Sequence, residues 1–338
     1  MVDRMDGVRR QAGGSPEEGG PHRPVLYHEV LEALRPAGGR RYVDGTLGAG
    51  GHAAGVLQAS APDGELLGLD VDPQARALAV QRLAEFGPRA RIVAGSYVQI
   101  DEHLAALGWQ RVDGILLDLG LSSMQLDTPE RGFSFQADAP LDMRFDPHNP
   151  LTAARLVNEL PEAELAGILF EYGEEPRSRQ LARAIVQARP VETTGQLAEI
   201  ALKVLGGGRG GPRGGRERRP GGHSQVHPAT RTFQALRIAV NHELDGLQQA
   251  LPKAVAALNP GGRLAVISFH SLEDRIVKQY FRRESQDCIC PPRQPVCTCG
   301  HRAGIVEVSR RPISPQDDEI ERNPRARSAR LRIAERLS

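Results

Sequence analysis

Arg41-Tyr-Val-Asp-Gly-Thr-Leu-Gly-Ala-Gly-Gly-His52 holds the residues best suited to grip a nucleoside cofactor. A short apolar run, Tyr42 and Val43, delivers Asp44 and then glycines at 45, 48, 50 and 51, which admit positive φ or leave room where a side chain would collide with a ligand. A second run, Glu65-Leu-Leu-Gly-Leu-Asp70, also ends in an acid, placed where an open α/β sheet holds two ribose hydroxyls. Asp70 is therefore the expected ribose ligand; the alternative is a turn acid ahead of Asp72-Pro73. The spacing Gly45-x-x-Gly48-x-Gly50-Gly51 departs from the G-x-G-x-x-G of dinucleotide sites. A methionine-derived cofactor has no pyrophosphate to seat on a helix N-terminus, so S-adenosylmethionine is favoured over NAD.

A later strand-like run ends in Asp118-Leu-Gly-Leu-Ser-Ser-Met-Gln125, beside the expected cofactor pocket, where a target nitrogen would meet a sulfonium methyl. Such a transfer is an in-line displacement that neutralises charge, and a dry site that aligns the atoms supplies most of the acceleration. If the target is an exocyclic base amine, a carboxylate or carbonyl that accepts its N–H groups favours a pyramidal nitrogen. Asp118 or Asp142 fits that role, and each also fits a turn acid. His270, delivered by the expected strand Arg263 to Phe269, is a second catalytic candidate, with a structural histidine as the alternative. Ser271-Leu-Glu-Asp274 has the pattern of a capping box, which makes Ser271 a helix cap rather than a nucleophile.

Alternating strand and helix signals run from Arg41 to about Gln125: strands at Arg91 to Val93 and Val112 to Leu117, helices at Pro73 to Glu85 and Gln99 to Leu107. From about Thr128 the rhythm is helical only. Pro161 with Glu162 and Glu164 opens one helix, Pro176 to Arg189 forms a second, and Thr193-x-x-Gln196 caps a third that ends at Gly206. Residues 206–222 carry five arginines against the single acid Glu217 and too few apolar groups to fold. One long helix then starts near Pro228, with Phe233, Leu236, Val240, Leu244, Leu247 and Leu251 as a single stripe on a sheet. Thr230, Gln234, Arg237 and Asn241 form another face, either solvated or near the active site. The expected fold is a Rossmann-like α/β sheet with an inserted all-helical domain: residues 22–127 and 227–338 form the sheet domain, 128–205 the insertion, 206–226 a linker, and 1–21 a disordered start.

The chain of 338 residues has a formal charge of only +1, and its 43 basic residues include just three lysines. That bias keeps arginine abundance from counting as a nucleic-acid footprint. No apolar run approaches the roughly eighteen residues that span a bilayer, and the polar start lacks a signal-peptide core, so a cytoplasmic protein without membrane contact is expected. All four cysteines fall in Cys288-Ile-Cys290-Pro-Pro-Arg-Gln-Pro-Val-Cys297-Thr-Cys299. Two C-x-C pairs are tighter than the usual C-x-x-C knuckle, which leaves a four-thiolate zinc site and a loop of free thiols both open; no metal is assigned.

Seven motifs in order carry a resemblance: Val43-Asp-Gly-Thr-Leu-Gly-Ala-Gly-Gly-His52, Asp113-Gly-Ile-Leu-Leu-Asp-Leu-Gly-Leu-Ser-Ser123, Glu130-Arg-Gly-Phe-Ser-Phe135, Pro140-Leu-Asp-Met-Arg144, His227-Pro-Ala-Thr-Arg-Thr-Phe-Gln234, Ile267-Ser-Phe-His-Ser-Leu-Glu-Asp-Arg275 and Asn323-Pro-Arg-Ala-Arg-Ser328. From about His22 to the C-terminus the chain resembles the ribosomal RNA small subunit methyltransferase H family. The resemblance implies a class I S-adenosylmethionine-dependent enzyme that methylates N4 of a cytidine in the decoding region of 16S rRNA, with the small ribosomal subunit as partner. It also implies cofactor contacts at Gly50, Gly51, His52, Asp70, Tyr97, Asp118 and Gln125. Tyr97 often corresponds to phenylalanine in that family, a change that keeps the aromatic face. The Asp/Asn-Pro-Pro-aromatic motif of many amine methyltransferases does not follow Asp118, so the catalytic acceptor is not fixed by analogy. A methyltransferase for another nucleic acid and a non-catalytic ribosome-assembly factor are the alternatives.

Overall fold

Apolar runs with few polar interruptions make the strands, as a sheet covered on both faces requires. The computed structural model describes residues 24–206, 227–291, 293–294 and 296–338; the expected disordered start, and the expected linker beyond Gly206, lie outside the described residues. Seven strands, β1 (Arg41–Asp44), β2 (Glu65–Asp70), β3 (Ala90–Ala94), β4 (Val112–Asp118), β5 (Leu258–Ser268), β6 (Ile305–Glu307) and β7 (Arg330–Arg336), form one sheet in the order β3-β2-β1-β4-β5-β7-β6. β1 to β5 are mutually parallel, and β7 runs antiparallel to both β5 and β6. This is the Rossmann-like α/β architecture expected.

The two-residue period of the strands sorts their side chains to opposite faces. Val43, Leu67, Leu69, Ile115, Leu117, Leu264 and Val266 pack on one side with α4 (Ile100–Ala106), α11 (Glu243–Ala257) and α12 (Ser271–Glu284). Tyr42, Leu66, Leu116, Ala265 and Ile267 pack on the other with α1 (Tyr27–Leu34), α2 (Gly51–Ala59) and α3 (Pro73–Leu83). After β4 the chain makes the short α5 (Ser123–Asp127) and enters a helical body of α6 (Ala153–Glu159), α7 (Glu162–Glu171), α8 (Ser178–Gln187), α9 (Thr194–Leu205) and α10 (Ala229–Asn241). Its separate core joins Val157, Leu165, Leu169, Leu181, Ile185 and Leu197 to Phe233, Leu236 and Val240. The capping box of Thr193 and Gln196 is present at the start of α9.

Two expectations are corrected here. The stretch after Pro228 is not one helix but two, α10 and α11, broken at His242, whose φ of 51° and ψ of 38° are left-handed. Phe233, Leu236 and Val240 therefore serve the helical core, while Leu247 and Leu251 serve the sheet. Helix α10 thus packs into the same core as α6 to α9. Of the face of Thr230, Gln234, Arg237 and Asn241, Thr230 is exposed while the others form structural bonds: Gln234 donates to the Tyr172 carbonyl, and Asn241 accepts from Phe145 N and donates to the Met143 carbonyl.

Arg237 of α10 crosses the corner to fork onto Glu243 of α11, at 2.8 and 2.9 Å, with both side chains largely buried. Breaking one partner of such a pair strands the other charge. Glu243→Ala is expected to cost about 3 kcal/mol, the low end for this class because Glu273 also faces Arg237. Replacing both, Arg237→Met with Glu243→Leu, should recover most of that loss. Urea denaturation of the three proteins measures this, and a loss below about 1 kcal/mol in Glu243→Ala would show that the corner does not depend on the pair.

Candidate active site

Strand order reverses between β1 and β4, and at such a point the crevice beyond the strands' carboxyl ends receives ligands. Three adjacent strands end there in acids: Asp70 on β2, Asp44 on β1 and Asp118 on β4. The turn between β1 and α2 is hydrogen-bonded to both neighbours. Gly45 N donates to the Leu116 carbonyl and Leu47 N to the Leu69 carbonyl, each at 2.9 Å, while Asp118 N donates to Thr46 Oγ1 at 2.6 Å. Gly48 and Gly50 take φ of 52° and 78°, a left-handed geometry that a β-carbon would strain. At Gly51 the reason for glycine is different: a β-carbon would sit 2.5 Å from the Pro24 ring, so the bare position seats the N-terminal segment.

Each carboxylate oxygen of Asp70 already accepts one backbone N–H, Oδ2 from Gly48 and Oδ1 from Asp72, both at 2.8 Å. Each keeps a lone pair, the arrangement that two ribose hydroxyls need. Burial nevertheless outweighs these bonds and raises the Asp70 pKa. Asp118 has a buried Oδ1 with no hydrogen-bond partner, and its Oδ2 lies 3.6 Å from Nε2 of His52. His52 is buried, stacked on Tyr27 at 6.2 Å between ring centroids, and neither ring nitrogen makes an aligned hydrogen bond. Asp44 is buried beneath them. Burial pushes its pKa to about 7, with the charges of Asp118 and Asp70 adding to the rise against the pull of His52 and the Thr46 N–H. A pocket holding three carboxylates and an orphaned acceptor fits a cationic, hydroxyl-bearing ligand such as S-adenosylmethionine.

The remaining expected contacts occupy the rim. Tyr97 is part-exposed beside Gly45 and packs against the sheet core. Its hydroxyl pKa is pushed up by burial and then by the charges of Glu243 and Glu273. Gln125 is buried and fully engaged: Oε1 accepts from Ser122 N, and Nε2 donates to Asp72 at 3.0 Å. Asp72 also accepts from Gln74 N and, at 2.7 Å, from Arg131, whose second amino group donates to the Arg144 and Phe145 carbonyls. Burial raises the Asp72 pKa, but these donors outweigh it and hold the carboxyl below its usual range.

The two catalytic candidates both carry structural bonds. Both oxygens of Asp142 bind the Arg144 guanidinium, at 2.7 to 3.2 Å, so the carboxylate clasps its own loop and is not free to accept from a substrate amine. His270, not Ser271, caps α12: its Nδ1 accepts from Glu273 N at 3.4 Å, and the Glu273 carboxylate returns to the Phe269 and His270 N–H groups. The imidazole Nε2 lies 3.2 Å from Glu273 Oε1 without hydrogen-bond alignment. Ser271 instead donates to Glu174 across the domain boundary. His270 also borders a cleft of about 260 Å³ shared with Ser314, Arg327, Ser328 and Arg330. Asp44, Asp72 and Arg131 were not singled out as site residues from sequence. Asp44 was visible as a strand-end acid, but its burial was not, and Arg131 lies within the Glu130-Arg-Gly-Phe motif without any spacing that pairs it with Asp72.

The MraW methylase family model matches residues 19–337. Proteins named ribosomal RNA small subunit methyltransferase H are similar over 94% of this chain: that of Geobacter sulfurreducens at 54% identity, covering 99% of the relative, and that of Syntrophotalea carbinolica at 53%, covering 98%. Its counterpart in Dehalococcoides mccartyi is 50% identical over 94% of this chain and 87% of its own length. Among the described residues no helix is long and apolar enough to cross a membrane.

The raised pKa of Asp44 has a definite sign. Folding gains from it fully below the unfolded value of about 4 and loses that gain as pH rises through about 7, while the pocket becomes more anionic. S-adenosylmethionine affinity should therefore rise several-fold between pH 5.5 and 7.5, and Asp44→Asn should flatten the profile. Titration calorimetry across that range is the check; a wild-type profile that is already flat would exclude Asp44 as the titrating group.

Proposed function

Because the chain belongs to the MraW methylase family, we propose that it is an S-adenosylmethionine-dependent enzyme that methylates the N4 amine of a cytidine in the decoding region of 16S rRNA, acting on the small ribosomal subunit. The carrying observation is the unpartnered buried oxygen of Asp118, at the end of β4 where the chain departs into the helical body. The names of the relatives point to small-subunit rRNA.

When bound, S-adenosylmethionine supplies an electrophilic methyl group on a sulfonium. Asp70 would hold its ribose hydroxyls, Tyr97 would lie beside its adenine, and Gly50, Gly51, His52 and Gln125 would complete the pocket. A base amine stacked within an RNA helix cannot align with that methyl, so the cytosine turns out of its stack at a cost of a few kcal/mol. The helical body forms the opposing wall. The Asp118 carboxylate, a quarter exposed at the strand end, would accept an N–H of the amine, which favours a pyramidal nitrogen whose lone pair forms the N–C bond as the bond from that methyl to sulfur breaks. The nitrogen then sheds one proton, for which the same carboxylate is an acceptor. His270 and Asp142 act as positioning residues, His270 by capping α12 under the cleft and Asp142 by holding the 142–149 loop through Arg144. The exposed Arg327 at that cleft suits an RNA phosphate, while Arg330 beside it is paired with Asp274.

Incubation with small ribosomal subunits and labelled S-adenosylmethionine, followed by nucleoside analysis, should yield N4-methylcytidine; label on C5 of cytosine or on adenine would overturn the reading. Asp70→Ala should weaken cofactor binding at least tenfold in a folded protein, since charge-assisted bonds contribute about 1.5–3 kcal/mol each. Unchanged affinity by calorimetry would remove Asp70 from the site. His270→Ala should lower stability by about 1 kcal/mol through the lost cap. If its ring also orients the base, the rate per folded molecule will fall as well, while cofactor affinity stays unchanged.

A further inference from the structure

Between α12 and β6 the chain passes through Cys288-Ile-Cys290 and Cys297-Thr-Cys299, a loop with no part in the site described above. All four cysteines are free, and three of them are exposed, so hydrophobic burial does not explain their proximity. Their sulfurs nevertheless lie within 4.8 Å of one another, with Cys297 and Cys299 3.6 Å apart and Cys299 and Cys288 3.9 Å apart. A disulfide requires about 2.05 Å. Four thiolates arranged tetrahedrally at about 2.3 Å around one zinc ion stand about 3.8 Å from each other. The observed separations match the second arrangement.

We propose that Cys288, Cys290, Cys297 and Cys299 bind one Zn²⁺ as a structural site that closes this loop. The four sulfurs fill a tetrahedral shell and leave no open position for water or substrate, which separates a structural from a catalytic zinc. The base of the loop is already pinned to the end of α12: Gly304 N donates to the Glu284 carbonyl at 2.9 Å, and Ala303 N to the Asp287 carboxylate at 3.2 Å. The ion would add a cross-link to the outer turn that bears the exposed Ile289 and Val296, where Gln294 donates to the Val296 carbonyl and to Thr298 Oγ1.

The test uses the full chain purified under reducing conditions. Elemental analysis should find about one zinc per chain, and cobalt(II) in its place should give the thiolate charge-transfer and intense visible bands of a tetrahedral four-sulfur site. Replacing all four cysteines by serine should abolish both signals while the sheet keeps its circular dichroism. Iron in place of zinc, metal content unchanged in the quadruple variant, disulfides mapped by alkylation, or no stoichiometric metal would each overturn the proposal. If the quadruple variant fails to fold, the cobalt spectrum of the unaltered chain still decides.

Discussion

The carboxylate of Asp72 is almost wholly buried, and its three donors come from three different parts of the chain: the first turn of α3, Gln125 of α5, and Arg131 at the root of the helical body. A charge out of water at that depth is tolerated only while such donors surround it. Asp72 also gives its own N–H to Asp70. The acid expected to hold the ribose and the acid that binds Arg131 are therefore two residues apart in a single network. A displacement of Arg131 reaches the cofactor pocket through two hydrogen bonds, and the Arg144 and Phe145 carbonyls on its other side carry it into the insertion.

That network sits beside an unfavourable concentration of charge. Asp44, Asp70 and Asp118 end three neighbouring parallel strands at the same edge, although Asp44 pairs in register with Gly68 and Leu116, and the charges of the other two are part of what raises the first of them. No Lys or Arg pairs with the side chains of Asp44 or Asp118 among the described residues; the imidazole of His52 lies 3.6 Å from Asp118. A folded protein with its like charges gathered at one edge has an interior suited to a cation, and the ligand supplies what the chain withholds.

Much of the sheet was legible because its signals are local. Glu65 to Asp70 is an uninterrupted apolar run closed by an acid, and β2 occupies those residues. Thr193 and Gln196 announce α9 by themselves. The corner at His242 was not legible, since the apolar spacing from Phe233 to Leu251 continues in phase across it and neither the Gly nor the Asn that usually marks a left-handed cap is present there. For the same reason α10 was assigned to the wrong core. Ser271 was mistaken for a cap because Ser is a common cap and His a rare one; Glu273, which bonds back to the His270 N–H, settles the register one residue earlier. Asp142 and His270 were marked as catalytic candidates, and spacing alone does not reveal the contacts that Arg144 and Glu273 make with them.

The bonds of Asn241 have a topological meaning. This residue, the last of α10, accepts from Phe145 N and donates to the Met143 carbonyl, so the segment by which the chain enters the helical body touches the helix by which it leaves. The chain thus enters and leaves the helical body through adjoining segments. Holding those two ends together costs chain entropy that grows only slowly with the length of chain between them. Insertions of very different size could be exchanged between those segments without disturbing strand order, and the sheet could keep one chemistry while the helical body changed what was presented to it.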